Sequence, residues 1–172
     1  MTKTTKIGLF VLGLILLFKT TKKVMTFSKS SFIEYITPPL KKIGESIGVP
    51  YKFLVAQVIL ETGWGKSSLF TKYYNVGGVK AVRGQSFVTL PTFEYIDKIK
   101  VRVLQNFASY PNLETGLQAY AKIFQNRYFK QYLNKTTDPY KYVELLQSGK
   151  IKYATDIAYT GKIQKILNTY LS

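Results

Sequence analysis

The sequence predicts a mainly α domain of the α+β class, a set of helices interrupted by one β-hairpin and preceded by an N-terminal hydrophobic helix. Three stretches carry that expectation. Residues 7–18, IGLFVLGLILLF, form an uncharged apolar run. Residues 53–60 are apolar nearly all round at helical spacing, the pattern of a helix at the centre of a core. Residues 86–96 and 100–110 are two β-favouring runs joined by a short link, which reads as a hairpin.

Taken in order, the apolar run has Lys3 and Lys6 before it and Lys19, Lys22 and Lys23 after it. A full membrane span needs about 20 apolar residues, so this one is short. A basic start and an apolar core fit a secretory signal, but no small-x-small cleavage pair follows Phe18. The reading adopted is an uncleaved membrane anchor whose flanking lysines reach up to the headgroups. A cleaved signal and a buried helix are the alternatives. Both flanks are basic, so orientation is not set. Residues 1–27 are read as anchor and basic linker, and 28–172 as the domain.

Ser28, Ser30 and Ser31 offer N-caps to a helix carrying Phe32, Ile33 and Ile36. Pro38–Pro39 should break or kink it, because the residue before a proline is pushed out of the helical region. Leu40, Ile43 and Ile47 resume the spacing, and Gly48 ends it. Pro50 suits the first turn of the apolar helix, which runs to Glu61 and stops at Gly63-Trp64-Gly65. A short SSLF turn follows. In the hairpin, Pro91 is tolerable on an edge strand, Glu94 lies late in the first strand, and Asp97 is a turn residue. Helices are expected over 113–124, about 127–134, 139–146 and 163–171.

Composition removes several chemistries. The 172 residues contain no His and no Cys. That excludes a Ser-His-Asp triad, a Cys nucleophile, a Cys/His zinc site and any disulfide. No metal and no cofactor is expected. A net charge of +16 calls for an acidic partner, and nucleic acid, an anionic membrane surface or an anionic wall polymer all fit. No helix gathers Lys and Arg on one face, so nucleic acid is not expected.

Among the nine Asp and Glu residues, Glu61 stands out. Ile59, Leu60 and Trp64 surround it in sequence. A carboxyl in apolar surroundings resists ionisation and can keep a proton near neutral pH, as a general acid must. Glycoside hydrolysis usually employs two carboxyl groups flanking the scissile bond. Glu94 is the better placed of the two acids in the hairpin region.

Four segments then resemble one family. AQVILETGWGKS (56–67), YYNVGGVKA (73–81), TFEY (92–95) and YATDIAYTGKI (153–163) are similar, in that order, to the glucosaminidase domains of bacterial autolysins, glycoside hydrolase family 73. The flagellar rod-cap peptidoglycan hydrolases carry the same domain. The resemblance implies a lysozyme-like fold and cleavage of the β-1,4 glycan of peptidoglycan on the reducing side of N-acetylglucosamine. It implies Glu61 as general acid, Glu94 as second carboxylate and Tyr159 near the scissile bond. It places Trp64, Asn75, Lys80 and Tyr153 among the cleft or binding residues. One departure is visible. The family's Phe-Gly-Ile-Lys is Gly77-Gly78-Val79-Lys80 here, which removes a ring from the loop beside the catalytic helix. The partners implied are glycan strands and, through residues 7–18, a membrane facing the wall, either in a bacterial envelope or in a phage particle. The competing readings are an inactive peptidoglycan-binding component and a basic nucleic-acid-binding domain. Lysozyme-like folds host both glucosaminidase and muramidase chemistry, and the family match alone selects the first.

Overall fold

The computed structural model describes residues 25–96 and 99–172. The proposed anchor at 7–18 and the turn residue Asp97 lie outside them. Among the described residues no helix is long and apolar enough to cross a membrane.

Helix α1 (Lys29–Ile47) begins on a reciprocal cap, in which the Ser28 hydroxyl accepts from the Ser31 amide and the Ser31 hydroxyl from the Ser28 amide. The break expected at Pro38–Pro39 does not occur, and the helix runs through both prolines. A proline inside a helix costs about 3 kcal/mol. Phe32, Ile36, Leu40 and Ile43 form one continuous buried face on either side of the pair. Each such side chain contributes about 1.5–3 kcal/mol on burial, so tertiary packing outweighs the local penalty.

Helix α2 (Tyr51–Thr62) is the hub. It packs against α1, α5 (Pro139–Ser148) and α6 (Tyr159–Tyr170). Phe53 to Ile59 are all buried, including the one polar side chain among them, Gln57. Pro50 is its N-cap rather than a first-turn residue. The turn that follows takes the left-handed region three times running, at Gly63, Trp64 and Gly65 (φ 56°, 64° and 72°). Gly65 is forced by contact as well as by φ, since a Cβ there would stand 2.5 Å from the Phe32 ring. Thr62 closes the turn, its hydroxyl donating to the Val58 carbonyl and accepting from the Gly65 amide.

The expected SSLF turn is a short helix, α3 (Ser68–Tyr73). Strands β1 (Phe87–Ile96) and β2 (Ile99–Ala108) pair antiparallel, with Phe87 opposite Ala108 and Glu94 opposite Val101. Both strands are edges, which is why Pro91 is accommodated. Phe87, Thr89, Pro91 and Phe93 are exposed, whereas Val88, Leu90 and Thr92 are half-buried.

Helix α4 (Leu113–Ala121) starts at Asn112 and tightens into a 3-10 turn over Lys122–Gln125. The helix expected near 127–134 is reduced to a 3-10 turn at Lys130–Tyr132. Helix α6 starts four residues earlier than expected, so Tyr159 is its first residue rather than part of a preceding loop. The architecture is mainly helical with one two-stranded antiparallel sheet.

Candidate active site

Glu61 sits on the last turn of α2, one turn after Gln57. The Gln57 side-chain amide is fully buried and every part of it is engaged. Its Nε2 donates to Glu61 Oε1 at 2.9 Å and to the Tyr153 hydroxyl at 3.1 Å. Its Oε1 accepts from the Tyr159 hydroxyl. These bonds join α2, the 153–158 segment and α6 around one amide.

The carboxyl opens into a groove of about 450 Å³ whose walls include Leu60, Ile123, Phe129, Tyr153 and Tyr159. Glu61 is exposed as a whole residue, as the acid of an open cleft must be. Its apolar walls nevertheless strip away enough water to raise its pKa above the ordinary carboxylate value. The carboxyl is thus biased toward the protonated form and can deliver that proton to a ligand in the groove.

Tyr153 is stacked on Phe124, with ring centroids 5.5 Å apart and planes within 6°. Its ring also lies 5.6 Å from that of Tyr159, tilted by 32°. Burial pushes the Tyr153 hydroxyl up to about 12 and raises that of Tyr159 further. Both phenols therefore stay neutral and act as hydrogen-bonding groups, not as bases. Tyr159 is held at the head of α6 by Asp156. The Asp156 carboxylate accepts from the Ala158 amide at 2.9 Å, and its backbone carbonyl accepts from the Tyr159 amide at 3.1 Å. Lys162 pairs with the same carboxylate at 2.6 Å and holds its pKa below the usual range.

The 75–79 loop approaches Glu61 through Gly77. Asn75, buried, donates to the carbonyls of Val79 (2.8 Å) and Ala108 (2.7 Å) and accepts from the Val79 amide (2.8 Å). Its amide is spent on tying the loop to the end of β2. Gly77 and Gly78 both take positive φ, at 72° and 66°. Gly77 lies beside the acid: a Cβ built on it would stand 3.8 Å from Glu61 Oε2 and 3.7 Å from the Tyr120 ring. Lys80 is exposed where the loop bridges to Phe107 of β2.

Of the residues singled out in the sequence, Glu61, Tyr153 and Tyr159 come together around the groove, and Glu94 is placed on the hairpin through its pairing with Val101. Trp64, Asn75 and Lys80 do not line the groove. Trp64 turns to Tyr170, edge to face at 4.7 Å, and Lys29 stands 5.0 Å from its ring centre while donating to the Tyr170 hydroxyl at 2.6 Å. The Asn75 side chain is buried and bonded to the backbone of Val79 and Ala108. The residue missed is Gln57. Its signal was a polar side chain on an otherwise apolar helix, one turn before the carboxylate. Among the described residues, no three His, Cys, Asp or Glu side chains cluster closely enough to hold a metal ion.

A helical body with one antiparallel hairpin, and a carboxyl at the mouth end of its most buried helix, defines the lysozyme-like class of fold. The chain belongs to the glucosaminidase family, described as mannosyl-glycoprotein endo-beta-N-acetylglucosaminidase, whose profile matches residues 37–172. It is 34% identical over 152 residues to the peptidoglycan hydrolase FlgJ of Pseudomonas aeruginosa, a match covering 84% of this chain and 37% of that protein. The chain thus spans about a third of the length of that curated relative. Among solved structures it resembles the catalytic domain of the autolysin Auto from Listeria monocytogenes, with TM-score 0.75, 26% identity and coverage of 86% of this chain and 88% of that one. It also resembles a peptidoglycan hydrolase mutant from Sphingomonas sp. A1, with TM-score 0.65, 32% identity and coverage of 84% and 95%. The family expected from the four segments is the family found.

Proposed function

We propose that this domain hydrolyses β-1,4 glycosidic bonds in the glycan of peptidoglycan, of the N-acetylglucosaminidase type, with Glu61 as general acid. The observation that carries the reading is the Glu61 carboxyl, raised in pKa by its apolar walls and opening into the groove beside Tyr153 and Tyr159. Family membership and the peptidoglycan hydrolases among the relatives support it. Glu61 passes its proton to the leaving glycosidic oxygen as the bond to the anomeric carbon breaks. The positive charge that develops on the sugar ring is met by the second carboxylate, assigned to Glu94, which also activates the incoming water. Tyr153 and Tyr159 line the groove beside the acid. The chain's net charge of +16 draws it to a glycan carrying stem-peptide carboxylates.

Digestion of purified peptidoglycan by the full chain, with mass spectrometry of the released reducing ends, tests this. Reducing-end N-acetylglucosamine is expected; reducing-end muramic acid moves the cleavage to the neighbouring bond. Gly77 in place of the family's Phe favours a second reading, a wall-binding component without turnover. Binding without release of reducing ends would establish that one.

We further propose that residues 7–18 hold the protein at a membrane facing the wall. Their apolar run between lysines, with no small-x-small cleavage pair, supports an anchor. A mature N-terminus anywhere in 19–30 would overturn it.

A further inference from the structure

We propose that Gln57 is a positioning residue that bonds Oε1 of Glu61 and so leaves the acidic proton on Oε2, with Tyr153 and Tyr159 anchoring the Gln57 amide. The inference rests on Glu61 being the general acid. An amide has one donor end and one acceptor end, and a phenol engages each of them here. The Tyr153 oxygen accepts from Nε2 at 3.1 Å, and the Tyr159 hydroxyl donates to Oε1. With the amide so held, Nε2 faces Glu61 Oε1 at 2.9 Å, and that oxygen is an acceptor. The acidic proton is therefore assigned to Oε2, the oxygen on the Gly77 side. A reversed amide would present Oε1 to Glu61. It would then accept the carboxyl proton on the Gln57 side.

Donation also runs in one direction, from the Tyr159 phenol to the Gln57 carbonyl and from the Gln57 amide to Glu61. Hydrogen bonds aligned this way strengthen each other. The Glu61 environment contains few other groups that titrate or carry charge. Tyr120 of α4, Tyr153 and Tyr159 face it as neutral phenols. Asp156 and Lys162 at the rim of the groove are paired with each other. Glu94 is on β1. None of the phenols titrates in the range where Glu61 does, so a change in the pH profile on altering Gln57 reports on the carboxyl it touches.

The donor at Oε1 favours the ionised carboxyl, and its removal raises the Glu61 pKa. A general acid works protonated, so the alkaline limb of the kcat profile moves to higher pH when that donor is lost. Gln57→Met, similar in volume, should lower kcat on the order of tenfold, the scale of a misdirected catalytic group. KM should stay within about twofold, because Gln57 is buried beneath the groove. Gln57→Glu should move the limb further, because two adjacent carboxyls share one proton. Tyr159→Phe leaves Gln57 in place and should move the limb the same way.

The experiment is the kcat and KM profile of the full chain on purified peptidoglycan, from the carboxylate range to mildly alkaline pH, for these variants and for Glu61→Gln. A lower kcat with a shifted limb in Gln57→Met supports the proposal. A wild-type limb in Gln57→Met overturns it, and so does a wild-type limb in Tyr159→Phe should Gln57→Met fail to fold. A lower melting temperature with an unmoved limb also overturns it, because that is packing alone. Full activity in Glu61→Gln would instead overturn the acid assignment itself, so the two failures are distinguishable.

Discussion

Gly77 faces the Oε2 side of Glu61, where a Cβ would lie 3.8 Å away, an ordinary contact rather than a clash. Backbone, not space, reserves the position for glycine. At φ 72° an L side chain is held in the left-handed region, at a cost of about 1–2 kcal/mol. Gly77→Ala should therefore destabilise by about that amount in denaturant titration, leaving the groove's shape intact. A destabilisation well above it would point to a steric role that the spacing does not support. Restoring the family's ring with Gly77→Phe should carry the same backbone penalty whatever it does for substrate affinity.

Glu61→Gln should abolish release of reducing ends from peptidoglycan, a loss of roughly 10²–10⁴-fold if general acid catalysis is what the carboxyl supplies. Its stability should move the other way. The folded-state pKa of Glu61 is raised, so ionisation opposes folding above that pKa, and the penalty disappears as pH falls below the ordinary carboxyl value. Glu61→Gln should thus melt at or above the wild-type temperature at neutral pH, and the two curves should converge in acid. A mutant that is less stable at neutral pH would contradict the desolvated carboxyl.

Glu94→Gln should lower the rate substantially, and more than Asp97→Asn does under the same conditions. Glu94 lies on β1 opposite Val101. A larger loss at Asp97 would transfer the second carboxylate to that residue.

Asn75→Leu should act on stability and not on ligand contact. It removes the partner of the Ala108 carbonyl and of the Val79 amide, whereas the Val79 carbonyl keeps its bond from the Ala108 amide. Each unsatisfied group costs about 1–3 kcal/mol, so a loss of at least about 2 kcal/mol is expected in chemical denaturation. A stable variant with raised KM would return Asn75 to the binding surface.

Sequence alone determined the helix–hairpin–helix order, the central position of 53–60 and the prominence of Glu61, because apolar periodicity and the Gly-Trp-Gly turn are local signals. It also exposed the family through four ordered segments. It misjudged Pro38–Pro39, since a local penalty cannot be weighed against a buried face shared with α2. Only the tertiary structure decided which motif residues meet. Trp64 was drawn to Tyr170 and Lys29, and Asn75 was spent on the loop carbonyls. Gln57 was joined to Tyr153 and Tyr159, which lie about a hundred residues away in the chain (separations of 96 and 102). Such choices depend on which hydrogen-bonding groups the packed helices bring within reach of one amide, and no spacing along a chain encodes that distance.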